Sequence, residues 1–157
     1  ASFTAPARRR QYLGGHALLN RLLARLGSER TVGRAESGQP QATVDQRPVA
    51  VSLSHAGGLV AAAVGSVHRL GIDLEFPRNQ RNWARLARRF TWLAHPESGE
   101  RVFRWCLWEA TGKARGASVF RGPDPVFEAL RSGASEDWSL QRETLPGGGC
   151  FVMVCRS

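Results

Sequence analysis

Glu109 and Lys113 stand four residues apart in the stretch 102–116, V-F-R-W-C-L-W-E-A-T-G-K-A-R-G. On a helix they share one face, the carboxylate one turn ahead of the ammonium. Alone, such a pair is an ordinary surface ion pair worth about 0.3–0.5 kcal/mol. Composition sets Lys113 apart, because of the 22 Lys and Arg residues it is the one lysine. A compact, mobile ammonium can follow a phosphate that a planar guanidinium fork cannot. A second constellation lies in 70–76, L-G-I-D-L-E-F. There Ile72, Leu74 and Phe76 share one face of a strand and are expected to be buried, while Asp73 and Glu75 project together from the other. Either that face is a wet acidic one, common in antiparallel sheets, or a cation relieves the repulsion between the two carboxylates. With Glu109 they offer three hard oxygen ligands, the type that suits Mg2+ alongside phosphates and water.

Two further groups have the chemistry of anion recognition. His55 sits in Ser54-His55-Ala56-Gly57-Gly58 at the mouth of an expected hairpin, where an imidazole is either a polar turn residue or a ligand contact. Arg8, Arg9 and Arg10 open an expected helix, where the helix dipole favours anions and disfavours cations. An incoming phosphate would relieve that conflict; otherwise the three arginines are a solvated basic tail.

The elements that must position these residues follow from hydrophobic spacing. Segment 8–26 carries Leu18, Leu19, Leu22, Leu23 and Leu26 at intervals of three and four, an amphipathic helix closed by Gly27. Gly14 and Gly15 inside it cost roughly 1 kcal/mol each against alanine, which points to close approach of another backbone or a ligand. Segment 28–47 is polar and reads as a long connection with room for a short strand. Val49, Val51 and Leu53 alternate along a strand, the turn 54–58 follows, and 59–65 returns as its partner. Segment 79–90 is another basic amphipathic segment, with Trp83, Leu86, Ala87 and Phe90 inward and Arg81, Arg85, Arg88 and Arg89 outward. In the central helix Phe103, Leu107 and Ala110 form an apolar stripe, flanked by Trp105 and Trp108. A short helical patch at 126–130 lies between Gly122 and Ser135, in a segment that also holds Pro123 and Pro125. Strands 138–142 and 151–155, joined by a turn at 146–149, are expected to complete a sheet with the Asp73 strand. His68 and His95 read as surface residues.

At 157 residues the chain is one domain or two small intimate lobes. No apolar run approaches the ~18 residues a membrane span needs, and no signal-peptide core is present, so the expectation is a cytoplasmic protein without membrane partners. Cys106, Cys150 and Cys155 lack metal-ligand spacing, and Cys106 reads as a small core residue. The formal charge of +9 calls for an acidic partner.

The three motifs, taken in order, resemble those of the surfactin-type 4'-phosphopantetheinyl transferases. Ser52-Leu53-Ser54-His55-Ala56-Gly57-Gly58, Gly71-Ile72-Asp73-Leu74-Glu75 and Trp105-Cys106-Leu107-Trp108-Glu109-Ala110-Thr111-Gly112-Lys113 are similar to that family's S-H-x-G, G-I-D-[IVL]-E and W-x-x-K-E-[AS]-x-x-K. The resemblance implies an α+β fold of two similar lobes related by a pseudo-twofold axis, each a small antiparallel sheet with packed helices. The lobes would be 1–68 and 69–157, with the active-site cleft between them. It implies an enzyme that moves the phosphopantetheine arm of coenzyme A onto a serine of an acyl or peptidyl carrier protein, with release of adenosine 3',5'-bisphosphate. Asp73, Glu75 and Glu109 would hold Mg2+, Lys113 would meet the diphosphate, and His55 with Ser54 would contact coenzyme A at the 3'-phosphate. Arg10, with Arg9 beside it, would join in nucleotide binding, and Glu109 would deprotonate the serine directly or through water. Carrier proteins of this chemistry are typically acidic, which suits a basic surface. Two lobes in one chain make a monomer sufficient.

The chain departs from the family pattern at Trp108, in place of the lysine before the glutamate, and at Gln39, in place of a basic residue before Pro40. It departs again at Gly116-Ala117-Ser118, where Gly-x-Gly is usual, and it is shorter at the N-terminus, without the family's first strand. A second reading is therefore a family-fold protein that binds coenzyme A or a carrier protein with impaired transfer. A third, a basic nucleic-acid-binding domain, draws on arginine content alone and leaves the three carboxylates without a purpose.

Overall fold

The computed structural model describes residues 6–36, 38–77, 82–116 and 124–157. The fold is α+β, with four α-helices and two antiparallel sheets among the described residues. Helix α1 (Pro6–Leu23) starts at a proline, whose fixed φ and missing N–H suit a first turn. Strands β1 (Arg30–Arg34), β2 (Pro40–Val44), β3 (Arg47–Ala56) and β4 (Leu59–Gly65) follow and make the first sheet in sequential order. Strand β5 (Arg69–Glu75) begins the second half. Helices α2 (Trp83–Arg89), α3 (Ser98–Arg115) and α4 (Pro125–Ser132) lead to strands β6 (Trp138–Leu145) and β7 (Gly149–Arg156), and the second sheet has the order β5-β7-β6.

Segment 28–47, expected as a long connection with room for a short strand, holds two paired strands, with Arg30 opposite Val44 and Arg34 opposite Pro40. Its outer strand β1 is almost wholly exposed, so it lacks the apolar alternation by which a strand is read. The turn expected at 54–58 is shorter. Strand β3 runs on to Ala56, paired with Leu59, and only Gly57 and Gly58 turn the chain, both at positive φ. Ser54 and His55 are therefore strand residues and point to opposite sides.

Each sheet has its own apolar core. Leu19 and Leu23 of α1 pack on Ala42 and Val44, with Val49, Val51, Leu53, Ala62 and Val64 around them. A Cβ at Gly14 or Gly15 would meet the side chains of Val60 and Leu53 at ordinary contact distance, so among the described residues no other backbone makes the close approach that was expected of a backbone or a ligand. The second core is built on α3, whose Val102, Phe103, Cys106, Leu107 and Ala110 face Phe127, Leu130, Val152 and Val154. Trp83, Phe90, Trp92, Trp105 and Trp108 extend it as one aromatic group. Cys106 is buried there, its thiol donating to the Cys150 carbonyl at 3.5 Å; burial pushes that thiol up. All three cysteines are free.

Two side-chain caps fix the short helices. Asn82 accepts from the Arg85 N–H at 2.9 Å at the start of α2, and Asp124 accepts from the Phe127 N–H at 3.0 Å at the start of α4. Asn79, Arg81, Ala117, Ser118, Gly122 and Pro123, expected in an amphipathic segment, a motif or a boundary, lie outside the described residues. Among the described residues no helix is long and apolar enough to cross a membrane.

Helix α3 crosses β5 at Gly71, where a Cβ would stand 1.9 Å from the Ala110 carbonyl oxygen and 2.6 Å from the Ala114 nitrogen. The obstruction is backbone and cannot rotate aside. Gly71→Ala is expected to lower stability by ~3 kcal/mol, the upper range for forcing a methyl group into a packed interior. Urea unfolding followed by circular dichroism measures it.

Candidate active site

Strand β5 is an edge of its sheet, so every second N–H and C=O points away from β7. Buried backbone groups need partners, and here side chains supply them. The Ile72 N–H donates to Ser52 Oγ at 3.0 Å and the Leu74 N–H to Ser54 Oγ at 3.1 Å. The Ile72 carbonyl accepts from Lys113 Nζ at 3.0 Å. Ser52 and Ser54, two apart on β3, thus join the first sheet to the second, and Lys113 adds α3 to the same seam.

Asp73 lies in that seam, 2 % exposed, and Glu75 beside it is 4 % exposed. The wet acidic face allowed by the alternation is therefore not what forms, since β3 and α3 cover it. Phe76, expected to be buried with Ile72 and Leu74, lies just past the end of β5 and is half-buried. Asp73 Oδ1 accepts from Ser54 Oγ at 2.8 Å and from Lys113 Nζ at 2.7 Å. Burial raises the Asp73 carboxyl from its ordinary value, and the Lys113 ammonium acts against that. Glu109 is half-buried on α3, and its Oε1 accepts from the Trp105 indole N–H at 2.6 Å.

Asp73, Glu75 and Glu109 each offer a carboxylate oxygen, and the three lie within 4.8 Å of one another. Three carboxylates and one ammonium carry a formal charge of minus two. Asp73 Oδ2 is buried and has no hydrogen-bond partner, which is costly for a carboxylate oxygen unless a cation meets it. The donor set, all hard oxygen, fits Mg2+.

A groove of about 390 Å3 opens between α1 and β3, lined by Arg8, Tyr12, His16, Arg34, Ser54 and His55 among others. His55 is exposed at its wall, whereas Ser54 turns its hydroxyl into the seam. Arg8 lines the groove; Arg9 and Arg10 stand on the exposed first turns of α1 and are not among its lining residues. Arg34 reaches it from β1, its guanidinium 5.7 Å from the Tyr12 ring and anchored to the Gly38 carbonyl at 2.7 Å. His16 packs on Tyr12 with ring centroids 4.2 Å apart, and its Nε2 is buried without a hydrogen-bond partner. Burial, then the Arg34 charge, lowers the His16 imidazole from its ordinary 6.5.

The structure brings Asp73, Glu75, Glu109 and Lys113 together from β5 and α3. Trp108, which stands where a lysine was expected, is buried among Phe90, Trp92 and Trp105. Gln39 donates to the Lys113 carbonyl at 3.1 Å, tying the end of α3 to the first sheet. Sequence reasoning missed Ser52, Tyr12, His16, Arg34 and the bond from Trp105. Ser52 carried a signal, its spacing of two from Ser54, and Trp105 another, its spacing of four from Glu109. Arg34 had none, because β1 was not legible.

No protein-family profile matches the chain. It is similar to the curated protein 4'-phosphopantetheinyl transferase AcpT of Escherichia coli (strain K12), 31 % identical over 125 residues. It is likewise similar to the protein of that name from Salmonella typhi, 34 % identical over 124 residues. The matched region covers 73 % of this chain and 62 % of the relative in each case, so the chain spans about three fifths of the length of these relatives.

The lowered His16 gives the groove a pH signature. The unfolded chain takes up the proton first, so this contribution to stability is intact above about 6.5 and is lost as pH falls below it. Urea unfolding between pH 8 and pH 5 is expected to show a smaller decline for His16→Phe than for the wild type.

Proposed function

We propose that this chain is a 4'-phosphopantetheinyl transferase of the surfactin type, which uses coenzyme A as donor and a serine of an acyl or peptidyl carrier protein as acceptor. The observation that carries the reading is the buried Asp73 Oδ2 without a protein partner, set among three clustered carboxylates and beside the one lysine of the chain. The likeness to the AcpT proteins supports the phosphopantetheinyl transferase family; the surfactin type rests on the three motifs. In this reading the two sheets with their helices are two lobes, 1–68 and 69–157, related by a pseudo-twofold axis, and the protein works in the cytoplasm as a monomer.

Asp73, Glu75 and Glu109 would hold Mg2+, which supplies charge neutralisation and Lewis acidity to a diphosphate. Lys113 has three N–H donors, two of which go to Asp73 Oδ1 and the Ile72 carbonyl. Its ammonium is thereby held still and presents the remaining donor to a diphosphate oxygen. Arg8, Arg34 and His55 line a groove suited to the phosphorylated nucleotide end of coenzyme A, with Arg9 and Arg10 adding positive potential beside it. The acceptor serine oxygen forms the new bond to the phosphorus that carries pantetheine. The bond from that phosphorus to the bridging oxygen breaks, adenosine 3',5'-bisphosphate leaves with the oxygen, and the serine proton passes to Glu109, directly or through water. An acidic carrier surface would be steered by the +9 chain.

Mass spectrometry of apo carrier proteins incubated with this protein, coenzyme A and Mg2+ is expected to show a metal-dependent gain of one phosphopantetheine arm. Asp73→Ala is expected to abolish the gain while circular dichroism stays native, and Lys113→Arg to slow it at least tenfold. A normal rate for Asp73→Ala would remove the carboxylate site from the mechanism.

A further inference from the structure

Trp105 is 7 % exposed and sits at the point where the aromatic core meets the carboxylates. Its ring is fixed on several sides, by Trp83 at 6.1 Å, Phe90 at 6.3 Å, Trp92 at 6.5 Å and Trp108 at 4.9 Å between centroids. A tryptophan so packed has one polar atom, and a buried indole N–H needs an acceptor. Here the acceptor is Glu109 Oε1 at 2.6 Å, one helical turn onward. The bond joins the aromatic group of the second core to the one carboxylate of the three that is not on β5.

This position matters because of where the other two acids get their support. Asp73 and Glu75 both rise from the strand, and the Asp73 carboxylate is held by Ser54 and Lys113. Glu109 comes from a helix, on a side chain with three rotatable torsions, toward two acids of like charge. Repulsion from those acids opposes that orientation. An ammonium on Glu109 would hold it but would cancel charge that a divalent cation needs. A neutral N–H donor holds the carboxylate and leaves the formal charge of the cluster unchanged.

We propose that Trp105 is a positioning residue for the cation site, its indole N–H fixing the Glu109 carboxylate in the orientation in which it completes the oxygen donor set with Asp73 and Glu75. The inference rests on the metal reading of the preceding section. Partners of this kind, which orient a ligand without touching the metal, change metal affinity 10–100-fold when removed.

The test is titration of the full chain with Mn2+ in the absence of coenzyme A, with free ion read by electron paramagnetic resonance. Trp105→Phe removes the N–H and keeps an aromatic ring; Trp108→Phe makes an equal cut in the same aromatic group without touching Glu109. Trp105→Phe is expected to weaken Mn2+ binding at least tenfold, and Trp108→Phe to leave it within twofold of the wild type. Equal affinity of wild type and Trp105→Phe, or equal weakening in both variants, overturns the positioning role while the site itself stands. Absence of Mn2+ binding by the wild type overturns the metal reading and the inference with it. A second measurement needs no variant with an altered core. In 1H–15N spectra of the wild type, the Trp105 indole resonance is expected to shift with the same midpoint as Mg2+ binding. An indole resonance indifferent to bound Mg2+ also overturns the proposal.

Discussion

The structure depends on how the free edge of β5 is satisfied. A strand edge buried against another sheet without partners would leave several backbone groups stranded, each at a cost of about 1–3 kcal/mol. Two serine hydroxyls and one ammonium meet that need. Because the partners come from β3 and α3, the solution also joins the first sheet, the second sheet and the central helix at one place. Asp73 sits at that place, and its burial follows from the seam and not from any apolar character of its own. The candidate chemistry is thus a by-product of solving a backbone problem with polar side chains.

Two kinds of rigidity meet there. On one side, Gly71 lets α3 lie directly on β5, so Glu109 and Lys113 are set against Asp73 with backbone in contact. On the other, the aromatic group behind α3 stops the helix from rolling. Gln39 adds a tether from the first sheet to the Lys113 carbonyl. A position where a basic residue was expected thus has a polar one with a defined structural task, and Trp108, the other departure beside the site, belongs to the core.

The faces of the elements were legible in the sequence because periodicity sets them. A period of two placed Asp73 and Glu75 together, and a period of 3.6 placed Glu109 and Lys113 together. What covers a face depends on distant chain, so the burial of Asp73 and Glu75 could not be read locally. Lys113 shows the same limit: its helical neighbour Glu109 was visible at a spacing of four, whereas its bond to Asp73 spans forty residues of sequence. Strand β1 escaped notice because an exposed edge strand of Arg, Thr and Gly has no apolar rhythm, and with it went Arg34. The hairpin turn is shorter than the segment 54–58 suggests, because Ser54 and His55 pair with Ala61 and Val60 as strand residues. Only the two glycines, at positive φ, were obligatory there.

The distribution of chromophores has a consequence for how this molecule is observed. All five tryptophans lie between positions 83 and 138, in the second half of the chain, and four of them are linked by ring contacts through Trp105. The one tyrosine, Tyr12, is on α1 in the first half. Emission excited at the indole band therefore reports the α3 core alone and is blind to the first sheet. Energy transfer from Tyr12 to the indoles, by contrast, reads the distance between the two halves. A single unlabelled sample thus carries one signal for the integrity of the second half and another for the closeness of the two.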